Sequence, residues 1–71
     1  MGQRKYPAIN GEKLREIRVS KALSLRRLEE MSGVSFDRIS KLELNGGAAR
    51  PSTIHKLAEA LQVEPSALVK S

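Results

Sequence analysis

The sequence predicts an all-α protein, one compact five-helix domain organised around a helix-turn-helix. Three observations carry this expectation. Residues 24–44 read SLRRLEEMSGVSFDRISKLEL, two short apolar-periodic runs divided by Gly33. Further along, Ile54, Leu57, Ala58 and Leu61 fall at i, i+3, i+4 and i+7, the stripe of an amphipathic helix. The chain has 71 residues, no cysteine and only one Tyr and one Phe, so short, well-capped helices must assemble a small core without disulfide staples.

The elements follow in chain order. Met1–Ile9 has no periodicity and contains Gly2 and Pro7; it is expected to be a flexible basic arm, leaving residues 10–71 as the domain. Within the arm, Arg4 and Lys5 suit a phosphate backbone or a minor groove, and the alternative for Tyr6 and Ile9 is packing on the domain edge. Asn10 is placed to cap a first helix over about Gly11–Lys21, with Glu12 favourable in its opening turn. Leu14 and Ile17 form its buried stripe, and Arg18 lies on the Leu14 side. Ser24 caps the second helix, on which Leu25, Leu28 and Met31 share one face. Gly33 ends it, because only glycine enters the left-handed region without steric cost. Ser35 caps a third helix, and Phe36, Ile39 and Leu42 mark a new apolar stripe. Asn45-Gly46-Gly47 then punctuates a loop running to Arg50. Ser52 is the expected cap of the fourth helix. Pro65 opens a fifth, roughly Pro65–Lys70, burying Leu68. Two helices joined by a short turn containing Gly make a helix-turn-helix.

The run L-x-x-L-x-x-x-S-G-V-S-x-x-x-I-S-K-L-E from Leu25 to Glu43, followed by Asn45-Gly46 and Arg50-Pro51-Ser52, resembles the Cro/phage-repressor family of DNA-binding domains. This is the lambda-repressor-like, xenobiotic-response-element type, and the resemblance covers about Asn10 to Lys70. It implies sequence-specific binding of double-stranded DNA and regulation of transcription, most simply repression. In such domains the second helix of the motif presents its N-terminal residues to base edges in the major groove. The family's base-reading positions fall on Ser35, Phe36, Asp37 and Lys41, with Arg38 beside them. These side chains have the chemistry to read bases, since Lys41 can donate to guanine, Asp37 can accept from cytosine and Phe36 can pack on a thymine methyl. Phosphate contacts are expected from Arg26, Arg27 and Asn45, joined by Arg4 and Lys5 of the arm. Arg26 and Arg27 also sit at a helix N-terminus, where a bound anion relieves their opposition to the helix dipole. The resemblance further implies an ion pair between Arg18 and Glu43. Three departures stand out: Leu25 replaces a usual Gln, Glu29 replaces a usual Ala, and Phe36 is atypical for a base-reading position.

Thirteen Lys and Arg against eight acids give a net charge of +5, which fits an anionic partner and equally a solvated basic surface. No apolar stretch approaches the roughly 18 residues of a membrane span, and Met1–Asn10 lacks an apolar signal region. A cytoplasmic protein is therefore expected. His55 is the sole histidine and no cysteine accompanies it, so a metal site or a nucleophile–base pair has no partners to draw on. Neither an enzyme nor a cofactor is expected.

A homodimer is expected, formed at latest on DNA, because one small module binds a single half-site weakly. The C-terminal residues Leu61, Val63 and Val69 are the candidate contact. The alternative from another class is a protein-interaction adaptor or antitoxin of the same fold, capturing its partner through Leu25 and Phe36. A third possibility is a DNA-binding domain cut from a longer protein.

Overall fold

The structure, a computed structural model, describes residues 6–70. In order these form β1 (Ala8–Ile9), α1 (Gly11–Ser20), α2 (Leu25–Ser32), α3 (Phe36–Asn45), β2 (Gly47–Ala48), α4 (Pro51–Leu61) and a 3-10 turn, Pro65–Leu68. Capping chemistry sets the first three helices. The Asn10 side chain accepts the Lys13 amide at 3.1 Å. Ser24 accepts that of Arg27 at 2.9 Å and Ser35 that of Arg38 at 3.2 Å. Between α2 and α3, Gly33 adopts the left-handed conformation at φ 81°. Its amide bonds the Glu29 carbonyl at 2.8 Å, closing the α2 end.

Several expectations are corrected. The fourth helix is capped at Arg50 with Pro51 in its first turn and no side-chain cap bond, so Ser52 lies inside the helix. Proline there needs no amide partner, so the helix opens without a hydroxyl. The fifth helix is a single 3-10 turn of four residues; beyond it Val69 is extended and bridges Ile9. The fold is thus four α-helices and a short turn, with a two-stranded sheet that the sequence did not announce. Ala8 and Ile9, assigned to the arm, belong to the folded unit: Ala8 pairs antiparallel with Ala48, and Ile9 with Gly47. Ile9 is fully buried. Arg4 and Lys5 lie outside the described residues.

The core gathers one or more residues from every helix and from both chain ends: Ile9, Leu14, Leu28, Ile39, Leu57, Leu61 and Leu68 are fully enclosed. Met31, expected on the inner face of α2, is 44% exposed, because its turn runs past the edge of the core. Leu61 has no exposed surface and so cannot line a dimer contact; Val63 and Val69 are half-buried against the core.

Two contacts fix α1 against α3. At its N-terminus Gly11 is buried, and a β-carbon there would lie 2.4 Å from the Leu42 carbonyl oxygen and 2.6 Å from that of Glu43. Near its C-terminus Arg18 reaches Glu43: Nε donates to Oε2 at 2.6 Å and Nη2 to Oε1 at 3.0 Å. Nη1 donates to the Leu23 carbonyl at 2.7 Å. The two side chains are 13% and 6% exposed. The hydrogen bond to Glu43 raises the Arg18 pKa above its usual value, outweighing the lowering by burial.

Two stability outcomes follow. Glu43→Ala strands a largely buried guanidinium and should cost about 3 kcal/mol, at the lower end for such pairs. That corresponds to a fall in Tm of roughly 10–20 °C for a domain of this size. Melts of Glu43→Ala and Arg18→Met test it, and wild-type melting in both would place the pair in solvent. Gly11→Ala should destabilise by about 1–3 kcal/mol through overpacking, read as a lower urea midpoint, although alanine is the better helix former by about 1 kcal/mol. A raised midpoint would show that α1 and α3 do not close this tightly.

Candidate nucleic-acid interface

The outer side of α3 and the first turn of α2 form one surface. Ile39 and Leu42 anchor α3 in the core, which turns Ser35, Phe36, Asp37, Arg38 and Lys41 outward; all five are exposed. That arrangement follows from a 3.6-residue period: once positions 39 and 42 are buried, 37, 38 and 41 have nowhere else to point. Asn45, also exposed, is the last residue of α3. Arg26 and Arg27 occupy the first turn of α2 and are likewise exposed.

The side chains on this surface are already engaged with one another. Lys41 Nζ lies 3.4 Å from Asp37 Oδ2, one helical turn away. Arg27 pairs with Glu30 at 3.0 Å. The Arg26 guanidinium carbon sits 5.2 Å from the centre of the Phe36 ring, so a cation–π contact joins α2 to α3. Arg26 and Arg38 have no ion pair among the described residues. Ser35 spends its oxygen as a cap acceptor and keeps its hydroxyl proton to donate.

Charge is not concentrated here. Residues 24–45 hold four exposed cations (Arg26, Arg27, Arg38, Lys41) against two exposed acids (Glu30, Asp37), with Glu29 half-buried and Glu43 held by Arg18, so more than half of the chain's net +5 resides elsewhere. The surface offers directed donors and acceptors in place of a basic field. Such a mixture suits base edges, which present both kinds of group.

Leu25, where the family has a polar residue, is half-buried and packs against the core. Phe36 remains on the surface at 41% exposure. Glu29 has no ion pair among the described residues, since Lys41 is taken by Asp37. The Arg26–Phe36 stack was hidden in the sequence; its two members are ten positions apart on different helices, and no local spacing signals such a pair.

Elsewhere, no group of three His, Cys, Asp or Glu that would hold a metal occurs among the described residues. No helix among them is long and apolar enough to cross a membrane. A shallow hollow between the C-terminal ends of α1, α2 and α4 is lined by Leu23, Met31, Lys56, Glu59 and Ala60. Lys21, Ser32 and Gln62 complete its lining, and Glu59 is its single carboxylate.

Comparison with known proteins places this geometry. The chain is 47% identical over 55 residues to the HTH-type transcriptional repressor RghR of Bacillus subtilis (strain 168), which covers 75% of this chain and 40% of that protein. It spans about two-fifths of the length of the curated relatives it matches. The restriction-modification controller protein C.AhdI from Aeromonas hydrophila superposes with a TM-score of 0.75 at 35% identity, covering 80% of this chain and 86% of that one. A hydroxyethylphosphonate dioxygenase contains a similar unit, with a TM-score of 0.76 and 27% identity over 89% of this chain but only 14% of the enzyme. A family profile described as helix-turn-helix matches residues 14–68. Matched from α1 to the final turn, with the α2–Gly33–α3 geometry in place, the chain belongs to the Cro/C1-type helix-turn-helix family.

Proposed function

We propose that this protein is a transcriptional regulator that binds double-stranded DNA by laying α3 in the major groove, and that it represses by occupying its operator. The observation that carries the reading is the surface of α3: five exposed residues with donor, acceptor and apolar chemistry, on a helix whose opposite side is locked into the core. The repressor RghR and the controller C.AhdI are the relatives that support it.

Ser35, Phe36, Asp37, Arg38 and Lys41 are the base-reading group, and Arg26, Arg27 and Asn45 the phosphate-contacting group. Arg4 and Lys5 extend the phosphate contacts from the arm. Two copies bind half-sites about one helical turn apart. The protein acts in the cytoplasm, as a binding protein without catalysis or a cofactor. The adaptor reading loses one of its two apolar contacts, since Leu25 packs on the core.

Selection from a random duplex pool tests the function, and an enriched motif is the expected result. On the enriched duplex, Lys41→Ala should cost about 1–3 kcal/mol and relax preference at one base pair. Arg27→Ala should weaken all duplexes alike and make the slope of log K against log salt shallower by roughly one unit. A Lys41→Ala loss equal on every sequence would remove α3 from the role of reader. A footprint confined to one half-site at saturating protein would count against two copies.

A further inference from the structure

We infer that Phe36 is a positioning residue for Arg26, and that the stacked pair reads one guanine as a unit, with Arg26 as the reader. This rests on the DNA-binding reading of α3 and revises two roles within it: Arg26 moves from phosphate to base, and Phe36 from thymine contact to support.

Of the four exposed cations on the surface, Arg27 and Lys41 pair with Glu30 and Asp37, and Arg38 has neither an ion pair nor a ring contact among the described residues. Arg26 is held differently, by the face of an aromatic ring whose centre lies 5.2 Å from its guanidinium carbon. A guanidinium held over a ring face has no carboxylate competing for its N–H donors. An arginine so held has less freedom to lose on forming a bidentate contact. Phe36 is the first residue of α3, the end that enters the groove, so a guanidinium fork held over its ring stands beside the base-reading end of the helix. Guanine, with O6 and N7 side by side in the major groove, is the base such a fork matches. Phe36 is 41% exposed, too open to be held in place by the core alone; the stack gives both side chains one orientation.

The experiment uses the full chain in five forms: wild type, Arg26→Lys, Phe36→Leu, Phe36→Tyr and the Arg26→Lys/Phe36→Leu double. Each is taken through selection on a random duplex pool, then titrated on the wild-type consensus duplex. Lysine keeps the charge and loses the fork; leucine keeps an apolar contact and loses the ring face; tyrosine keeps the face. Arg26→Lys should lose the preference for one G·C pair, with affinity falling roughly five-fold or more. Phe36→Leu should relax the same pair, falling about two- to five-fold as expected for an exposed cation–π contact. The double variant should bind no more weakly than Arg26→Lys alone, and Phe36→Tyr should retain the wild-type consensus. The inference is overturned if Phe36→Leu shifts a different base pair, if the two losses multiply, or if Arg26→Lys weakens every duplex alike with its consensus intact. A wild-type protein that enriches no motif is a separate outcome, overturning the DNA-binding reading together with this inference. Since both side chains are exposed, unchanged thermal melts separate these losses from unfolding.

Discussion

The geometry of the motif depends on one carboxylate. Glu43 is gripped from two directions by α1: its side chain by the Arg18 fork, and its backbone carbonyl by the close passage of Gly11. Those two residues are about two turns apart on α1, so a single residue of α3 meets both ends of the same helix. The third arm of the guanidinium goes to the Leu23 carbonyl, in the connection between α1 and α2. One arginine therefore references α3 and the entry to α2 to a common point. Desolvating these charges is costly, and the cost is offset because each of the three guanidinium nitrogens and both carboxylate oxygens has a partner. No buried side-chain nitrogen or oxygen among the described residues lacks one.

That rigid reference matters because the exposed surface is not held by burial. Its side chains rest on one another: Asp37 on Lys41, Glu30 on Arg27 and Phe36 on Arg26. Exposed ion pairs are worth little and exchange readily with other partners. A surface on which Glu30 and Asp37 engage two of the four exposed cations attracts a polyanion less strongly when the register is wrong. Each acid left facing a phosphate is a local repulsion, so charge balance trades general affinity for discrimination.

Legibility followed the physics of each element. Caps at Asn10, Ser24 and Ser35 and the break at Gly33 were readable because each acts within three residues of itself. The inward stripe of α4 was readable because its period is long enough to count. The sheet was not, because two-residue strands carry no alternation and their partners lie some forty positions away. Ile9, whose apolar side chain suggested at most packing on the domain edge, is fully enclosed where that pairing places it. Ser52 lost the cap position to Arg50, because Pro51 needs no amide partner and opens the helix one residue earlier. On the candidate site, the exposure of Asp37, Arg38 and Lys41 was legible from the period, whereas Phe36, on the stripe of Ile39 and Leu42, stays exposed and meets Arg26 of another helix. Tight packing at Gly11 was likewise hidden, since a glycine inside a helix start reads as weak propensity until its neighbour is known.

Residues 8–10 and 68–70 run side by side, joined by one bridge and two flanking bonds. Asn10 donates to Leu68 at 2.8 Å, Ile9 bridges Val69, and Lys70 donates to Ala8 at 2.8 Å. Because the pairing is antiparallel, both ends of the chain leave it from the same side. Tension between the two ends therefore peels this seam like a zipper, one bond after another, and never loads the bonds together in shear. Ile9 and Leu68, both fully enclosed, are the first core residues drawn out. The helix-turn-helix is thus mechanically downstream of a weak clasp: a pull along the chain opens the core before it reaches the residues that face outward on α3.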